Sequence, residues 1–306
     1  MTNSNEHLQG VFPVFQTPYH DDESIDYDVL QREIEWLFDC GSDGIVMAMV
    51  SEMLRLSDRE RRELGEASCR FANGNGVVIL SVGAESTPIA IEHAKHAQGC
   101  GATAVMAIPP VSIGATENEL EDYYERIVQA INIPVIIQDA SGYVGKPMSI
   151  AFQAEMLNRF GAERILFKPE ATPIGPRLSE LRDATSGKAH IFEGTGGISL
   201  VDSYRRGISG TMPGADLIKG LVALYQALEA GDERRIYQLS FPISAIVSMQ
   251  NSLDAFLAIE KHLLVKQGIF QNTIVRGPKA YLPDEETIAE VDRLFDILTT
   301  VLNEAE

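Results

Sequence analysis

No stretch of this chain is apolar for long enough to cross a bilayer as a helix, which takes about 20 such residues. Positive charge is scarce too: 25 Lys and Arg stand against 44 Asp and Glu, a net charge of −19. That excess repels phosphate backbones and anionic lipid surfaces, so neither nucleic acid nor a membrane is an expected partner. Cysteine is limited to Cys40, Cys69 and Cys100. Their odd number and wide spacing suit buried reduced thiols better than a disulfide framework or a zinc site. No GxGxxG follows the first apolar run, and GxSxG, Walker A and CxxC are missing, so no phosphate-loop or serine-hydrolase chemistry is signalled. The start, MTNSNEHLQG, is polar and lacks a signal-peptide pattern, which makes the cytoplasm the expected location.

What is present is a 306-residue chain, 45% hydrophobic, with a repeating rhythm. "CGSDGIVMAM" (40–49) and "CGATAVMAIP" (100–109) share a layout of Cys, Gly, a short turn and an apolar run. Each follows an amphipathic stretch, "DVLQREIEWLFD" and "TPIAIEHAKHAQG", whose trailing Gly suits a left-handed helix cap. Further runs obey the same grammar: "GVFPVFQ", "VVILSVG", "PVIIQDA", "RILFKPE", "HIFEGT" and "GTMPGA". Near-continuous apolar strands alternating with amphipathic helices imply a parallel sheet covered on its outer face. Eight such units match a (β/α)₈ barrel, typically about 250 residues long. The expected organisation is a barrel over 1–230 and a C-terminal helical extension over 231–306 packed on it. Lys261 and Lys266 fall on an amphipathic helix of that extension and read as surface or cap residues.

Barrel enzymes carry their chemistry at the C-terminal ends of the strands. There the sixth run, "ILFKPE", ends on Lys168 with Glu170 two residues on. Side chains alternate along a strand, so both residues should face one pocket. A lysine desolvated by the barrel has a lowered pKa and can attack a ketone as the neutral amine. The resulting protonated imine is an electron sink, and Glu170 could move a proton beside it. A structural ion pair capping the strand fits the same two residues. His93 and His96, three apart on a helix, lack an evident third metal ligand. "GTGG" (194–197) reads as an anion cradle or a tight turn.

Taken in order over roughly 10–280, "GVFPVFQTPYHDDESIDYDVL", "GSDGIVMAMVSEMLRLSDRER", "GATAVMAIPPV", "IPVIIQDASGYVG", "ILFKPE" and "VRGP" resemble the dihydrodipicolinate synthase / N-acetylneuraminate lyase family. The resemblance implies a (β/α)₈ barrel, a homotetramer, and a Schiff base between a 2-keto acid and Lys168. It also carries departures. The family's Gly-Thr-Thr-Gly-Glu carboxylate-binding segment reads Ala48-Met49-Val50-Ser51-Glu52. Two family tyrosines become Ser112 and Gln138, the synthases' arginine becomes Tyr143, and the sialic acid lyases' acidic pair becomes Gly196 and Gly197.

The Lys-x-Glu arrangement is similar to that of the family's 2-keto-3-deoxy sugar acid dehydratases. The expected function is therefore a lyase on a short hydroxylated 2-keto acid, with dehydration ahead of pyruvate-releasing aldol cleavage. A keto-acid-binding protein without turnover is the rival from another class. Lys168 is the expected nucleophile and Glu170 the acid/base. Val50 and Ser51 are expected to hold the carboxylate, with Gln138, Thr195 and Met212 lining the pocket, and no metal or organic cofactor.

Overall fold

The computed structural model describes residues 8–142 and 146–304. Among these, eight short parallel strands form the ring: β1 (Gly10–Val11), β2 (Gly44–Met47), β3 (Val77–Ser81), β4 (Ala104–Ala107), β5 (Val135–Gln138), β6 (Ile165–Lys168), β7 (Phe192–Glu193) and β8 (Gly210–Thr211). β2 to β6 pair in chain order, and β7, β8 and β1 form a second run. Bridges from Val14 to Val46 and from Phe167 to Ile191 join the two runs. The (β/α)₈ barrel expected from the rhythm is the fold.

Ladders are shorter than the apolar runs where proline intervenes. Pro13 and Pro213 have no N–H to donate, so β1 and β8 contribute two residues each. The chain stays in register through other groups: the Pro13 carbonyl accepts from Val46 N–H at 2.9 Å, and the Pro213 carbonyl from Val14 N–H at 2.7 Å.

A helix follows each strand: α1 (Tyr27–Asp39), α2 (Asp58–Ala72), α3 (Thr87–Gly99), α4 (Glu117–Ala130), α5 (Ile150–Phe160), α6 (Ile174–Ala184), α7 (Leu200–Arg205) and α8 (Ile218–Ala230). Local sequence sets their ends. Ser57 with Glu60 and Thr116 with Glu119 form capping boxes at α2 and α4, each satisfying orphan N–H groups. After α1 and α3 the chain reverses at Gly41 and Gly101, both at φ +91°, a conformation a side chain would disfavour.

Alternation divides the core into two layers. Val46, Ile136 and Leu166 join Phe12, Phe192 and Met212 inside the barrel. Their strand neighbours Ile45, Ile137 and Phe167 face outward and pack with the helices. Each such fully buried side chain contributes about 1.5–3 kcal/mol. The cysteines are free thiols, half-buried rather than fully interior as their composition suggested.

Past the barrel, α9 (Glu233–Met249) packs on α8 and on α11 (Glu285–Asn303). Helix α10 (Leu253–Lys266) packs against the turn Met49–Ser51 beyond β2. One expectation is corrected here. Lys266 is partly exposed and pairs with Asp292 and Asp296, but Lys261 is fully buried. Its ammonium donates to Glu52 Oε1 (2.5 Å), Thr17 O (2.8 Å) and Ile274 O (2.6 Å). Burial pushes its pKa down while Glu52 opposes the shift. The extension is thereby tied to the barrel by a buried charge.

Glu33 of α1 is likewise fully buried, accepting from Gln16 N–H at 2.9 Å. Burial raises its pKa to about 8, against about 4 in an unfolded chain. Between those values the folded chain keeps a proton that the unfolded chain releases. This contribution to stability is therefore complete below about pH 4 and lost as pH rises through about 8. We expect the wild-type melting temperature to fall from pH 5 to pH 8 more steeply than that of Glu33→Gln. Parallel melting curves across that range would contradict the assignment.

Candidate active site

The register of β5 on β6 places Gln138 beside Lys168, both at strand ends and both buried. Lys168 and Glu170 are 4% and 5% exposed, and Lys168 Nζ lies 2.9 Å from Glu170 Oε1. Gln138 Nε2 donates to the other carboxylate oxygen at 3.1 Å, so both Glu170 oxygens are oriented. Gln138 Oε1 is buried with no hydrogen-bond partner among the described residues. Below the pair, Asp139 Oδ1 accepts from Glu170 N–H (3.2 Å), Ser141 N–H (3.0 Å) and Ser141 Oγ (2.8 Å). This clamps the β5 and β6 loops together.

Gly194, after β7, completes the enclosure. A Cβ there would stand 2.6 Å from Lys168 Cε and 2.9 Å from Glu170 Oε1. The residue is glycine because the Lys168–Glu170 pair lies against its backbone, a signal the "GTGG" reading did not extract. The cavity around the pair is small, about 30 Å³, and is also lined by Val50, Met212, Phe256 and Glu260. A larger cleft of about 310 Å³ shares Glu170, Gly194 and Phe256 with it and opens past Thr195, Ser248 and Asn251.

A buried amine against a buried carboxylate at the mouth of a parallel barrel can form an imine and relay its protons. The model of the dihydrodipicolinate synthetase family matches residues 7–290. This chain belongs to that family. Among curated relatives, an L-2-keto-3-deoxyarabonate dehydratase from Azospirillum brasilense is 29% identical over 92% of this chain and 93% of its own. A 4-hydroxy-tetrahydrodipicolinate synthase from Bartonella bacilliformis is 24% identical over 90% and 94%. A solved prophage protein of the dihydrodipicolinic acid synthase family from Escherichia coli K12, in complex with pyruvate, superposes with a TM-score of 0.87 at 21% identity, covering 95% of this chain and 98% of its own.

Within the family frame, the residues expected at the pocket separate into two groups. Val50, Gln138 and Met212 line the cavity with Lys168 and Glu170. Val50 sits in the turn Met49–Ser51, whose internal bonds run from Ser51 N–H to Ala48 O and from Glu52 N–H to Met49 O. The first amides of that turn, of Met49 and Val50, have no acceptor within it.

Ser51, expected to use its hydroxyl on a carboxylate, instead donates to Phe15 O at 2.6 Å and accepts from Ala48 N–H at 3.1 Å. That hydroxyl is fully buried and pins the turn to the chain after β1. Thr195 lines the outer cleft rather than the inner cavity. Its hydroxyl donates to Glu193 and its N–H bonds the same carboxylate at 2.6 Å. In each case the nearest acceptor satisfies the hydroxyl before a ligand could.

Ser112, in the place of a family tyrosine, is exposed and hydrogen-bonded to Glu85. Tyr143 lies outside the described residues. Gly196 lines the cavity, and neither it nor Gly197 offers a carboxylate where the sialic acid lyases have two. Glu52 holds a left-handed conformation, φ 55°, with its carboxylate committed to Lys261 and Arg276 N–H. His93 is buried with Asp58 at 3.8 Å, while His96 pairs with Glu66 at 2.9 Å. Cys100 joins Glu66 and His96 as a third donor within 4.8 Å, a grouping that sequence spacing did not reveal.

The close approach of Gly194 generates a test. Overpacking of this kind costs about 1–3 kcal/mol, here borne by the Lys168–Glu170 pair. Gly194→Ala is expected to slow borohydride trapping of pyruvate on the protein by about 10-fold or more. Trapping at the wild-type rate would show that the pair has more room than the structure gives it.

Proposed function

We propose that this protein is a Schiff-base lyase acting on a short hydroxylated 2-keto acid, and that it dehydrates 2-keto-3-deoxy sugar acids. The observation that carries the reading is the Lys168–Glu170 contact at 2.9 Å inside the barrel mouth. Glu170 accepts a proton from the Lys168 ammonium, and the freed amine attacks C2 of the keto acid. The protonated carboxyl then gives its proton to the carbinolamine hydroxyl, which leaves as water. What remains is a protonated imine on Lys168 beside an ionised Glu170, with the charges as they were before.

Glu170 now lies next to C3, one bond beyond the imine carbon. The imine acidifies that C–H, so Glu170 takes its proton and the electron pair moves into an enamine. The enamine expels the C4 hydroxyl. Retro-aldol cleavage instead needs a base at the C4 hydroxyl, farther from Lys168. The family tyrosine that would stand there is Gln138, whose amide cannot take a proton. Base placement therefore favours dehydration, as does the likeness to a keto-deoxyarabonate dehydratase. An aldolase of the same family is the second reading, and 4-hydroxy-tetrahydrodipicolinate synthases are among the relatives.

The substrate carboxylate binds at the Met49 and Val50 amides, and the hydroxylated tail extends into the outer cleft past Thr195, Ser248 and Asn251. Gln138 Oε1, left without a partner, accepts from a substrate hydroxyl. The imine supplies the electron sink, so this reading needs neither metal nor organic cofactor. We further propose a cytoplasmic homotetramer, in keeping with the family and with exposed apolar side chains such as Ile113 and Phe241. Among the described residues, no helix is long and apolar enough to cross a membrane.

Two measurements test the function together. Borohydride reduction with pyruvate should attach one ligand to Lys168, and Lys168→Ala should abolish it. A panel of 2-keto-3-deoxy acids should yield products that keep every carbon and lose one water. Label on another lysine would overturn the imine assignment, and release of pyruvate would favour the aldolase.

A further inference from the structure

A second carboxyl group lines the same cavity as Lys168, and the steps above do not use it. Glu260 of α10 is 1% exposed and shares the pocket wall with Val14, Met212 and Gly214. Its Oε2 accepts from Gln16 Nε2 at 2.6 Å. Its Oε1 fills the space where a Gly214 Cβ would stand, so the strand end is shaped around this group. An amphipathic helix has no packing reason to aim a glutamate into the barrel mouth.

The ionisable groups facing Glu260 are Asp216 from the loop after β8 and Glu33 from α1, both buried carboxyls. Lys261, its neighbour on α10, is spent on Glu52 and two carbonyls. Burial first, then Asp216, holds the Glu260 carboxyl well above the usual carboxylate range, while the Gln16 amide pulls the other way. Burial beside other carboxyls favours the protonated form of Glu260, whereas Glu170, paired with Lys168, is placed to accept a proton.

Building on the dehydratase reading, we propose that Glu260 is the acid that hands a proton to the departing substrate hydroxyl while Glu170 takes one from C3. The C4–O bond breaks with its electron pair on oxygen, and that oxygen gains the Glu260 proton and leaves as water. The enamine pair becomes the C3–C4 double bond. Glu170 ends the step protonated and Glu260 ionised, and one proton passing between them through solvent, admitted as product departs, restores the start. Hydroxide is a poor leaving group, and Gln138 cannot supply this proton. A purely structural acid anchored on Gln16 would not depend on what leaves the substrate.

The test compares leaving groups on Glu260→Gln. Pyruvate has no hydroxyl to expel, so borohydride trapping on Lys168 should stay at the wild-type level and report an intact pocket. Dehydration of a 2-keto-3-deoxypentonate should fall by about 10²-fold or more. Its 4-fluoro analogue loses fluoride without needing a proton, and should react within a few-fold of wild type. Equal losses on both substrates, or no loss on the hydroxyl substrate, would overturn the proposal.

Should Glu260→Gln fail to trap pyruvate, the same two substrates are run on Gln16→Leu, which keeps the carboxyl but frees it from its anchor. A hydroxyl-selective loss there supports the proposal, and equal rates on both substrates contradict it. If the wild-type protein neither traps pyruvate nor dehydrates any substrate of the panel, the functional reading fails, a result distinguishable from failure of Glu260 alone.

Discussion

An ammonium and a carboxylate 2.9 Å apart, almost wholly removed from water, set the terms for the rest of this molecule. Removing one partner of a buried ion pair leaves an uncompensated charge and costs about 3–5 kcal/mol. The pair tolerates burial only while its charges balance, and the proposed imine chemistry would preserve that balance. On the proposed mechanism Lys168 would go from ammonium to protonated imine, a cation in both states, while Glu170 would pass a proton to and fro. The barrel supplies the geometry at little further cost. Strand alternation puts both residues on one face, the β5–β6 register adds Gln138 alongside, and Gly194 leaves the pair room to lie flat against the backbone.

The C-terminal helices belong to the site as much as the barrel does. Helix α10 brings Leu253, Phe256 and Glu260 to the cavity wall. One residue further on, Lys261 fastens that helix to Glu52 at the left-handed turn after β2. The turn Met49–Ser51 at the cavity wall is thus braced from behind by a second buried ion pair. Two functions that sequence would assign to separate parts of the chain share one set of supports.

Much of the scaffold was legible from the residues. The helix α3 coincides with its apolar-periodic stretch, and glycine marks the turns after α1 and α3. Period-two alternation placed Lys168 and Glu170 together. What escaped had specific causes. Lys261 and Glu260 are charged residues on a helix, and charge on an amphipathic helix ordinarily means solvent. Only the tertiary contacts with Gly214, beyond β8, and with the β2 turn show that this helix enters the barrel mouth. Ser51 and Thr195 stand at strand ends, where substrate contacts are expected, but position along a chain does not say where a hydroxyl turns. Each found a closer acceptor, Phe15 O and Glu193. The short ladders of β1 and β8 trace to Pro13 and Pro213, whose missing N–H groups an apolar count does not register.

The account stands most directly on Glu170 moving protons rather than only pairing with Lys168. Glu170→Gln keeps the shape and most hydrogen bonds but cannot accept a proton. Single-turnover kinetics on this variant, with pyruvate trapping measured in parallel, separate the two roles. General acid–base help is worth about 10²–10⁴-fold, so turnover should fall by at least about 10²-fold while pyruvate is still captured on Lys168. Turnover at the wild-type rate would contradict the account and leave Glu170 as no more than the structural partner of Lys168.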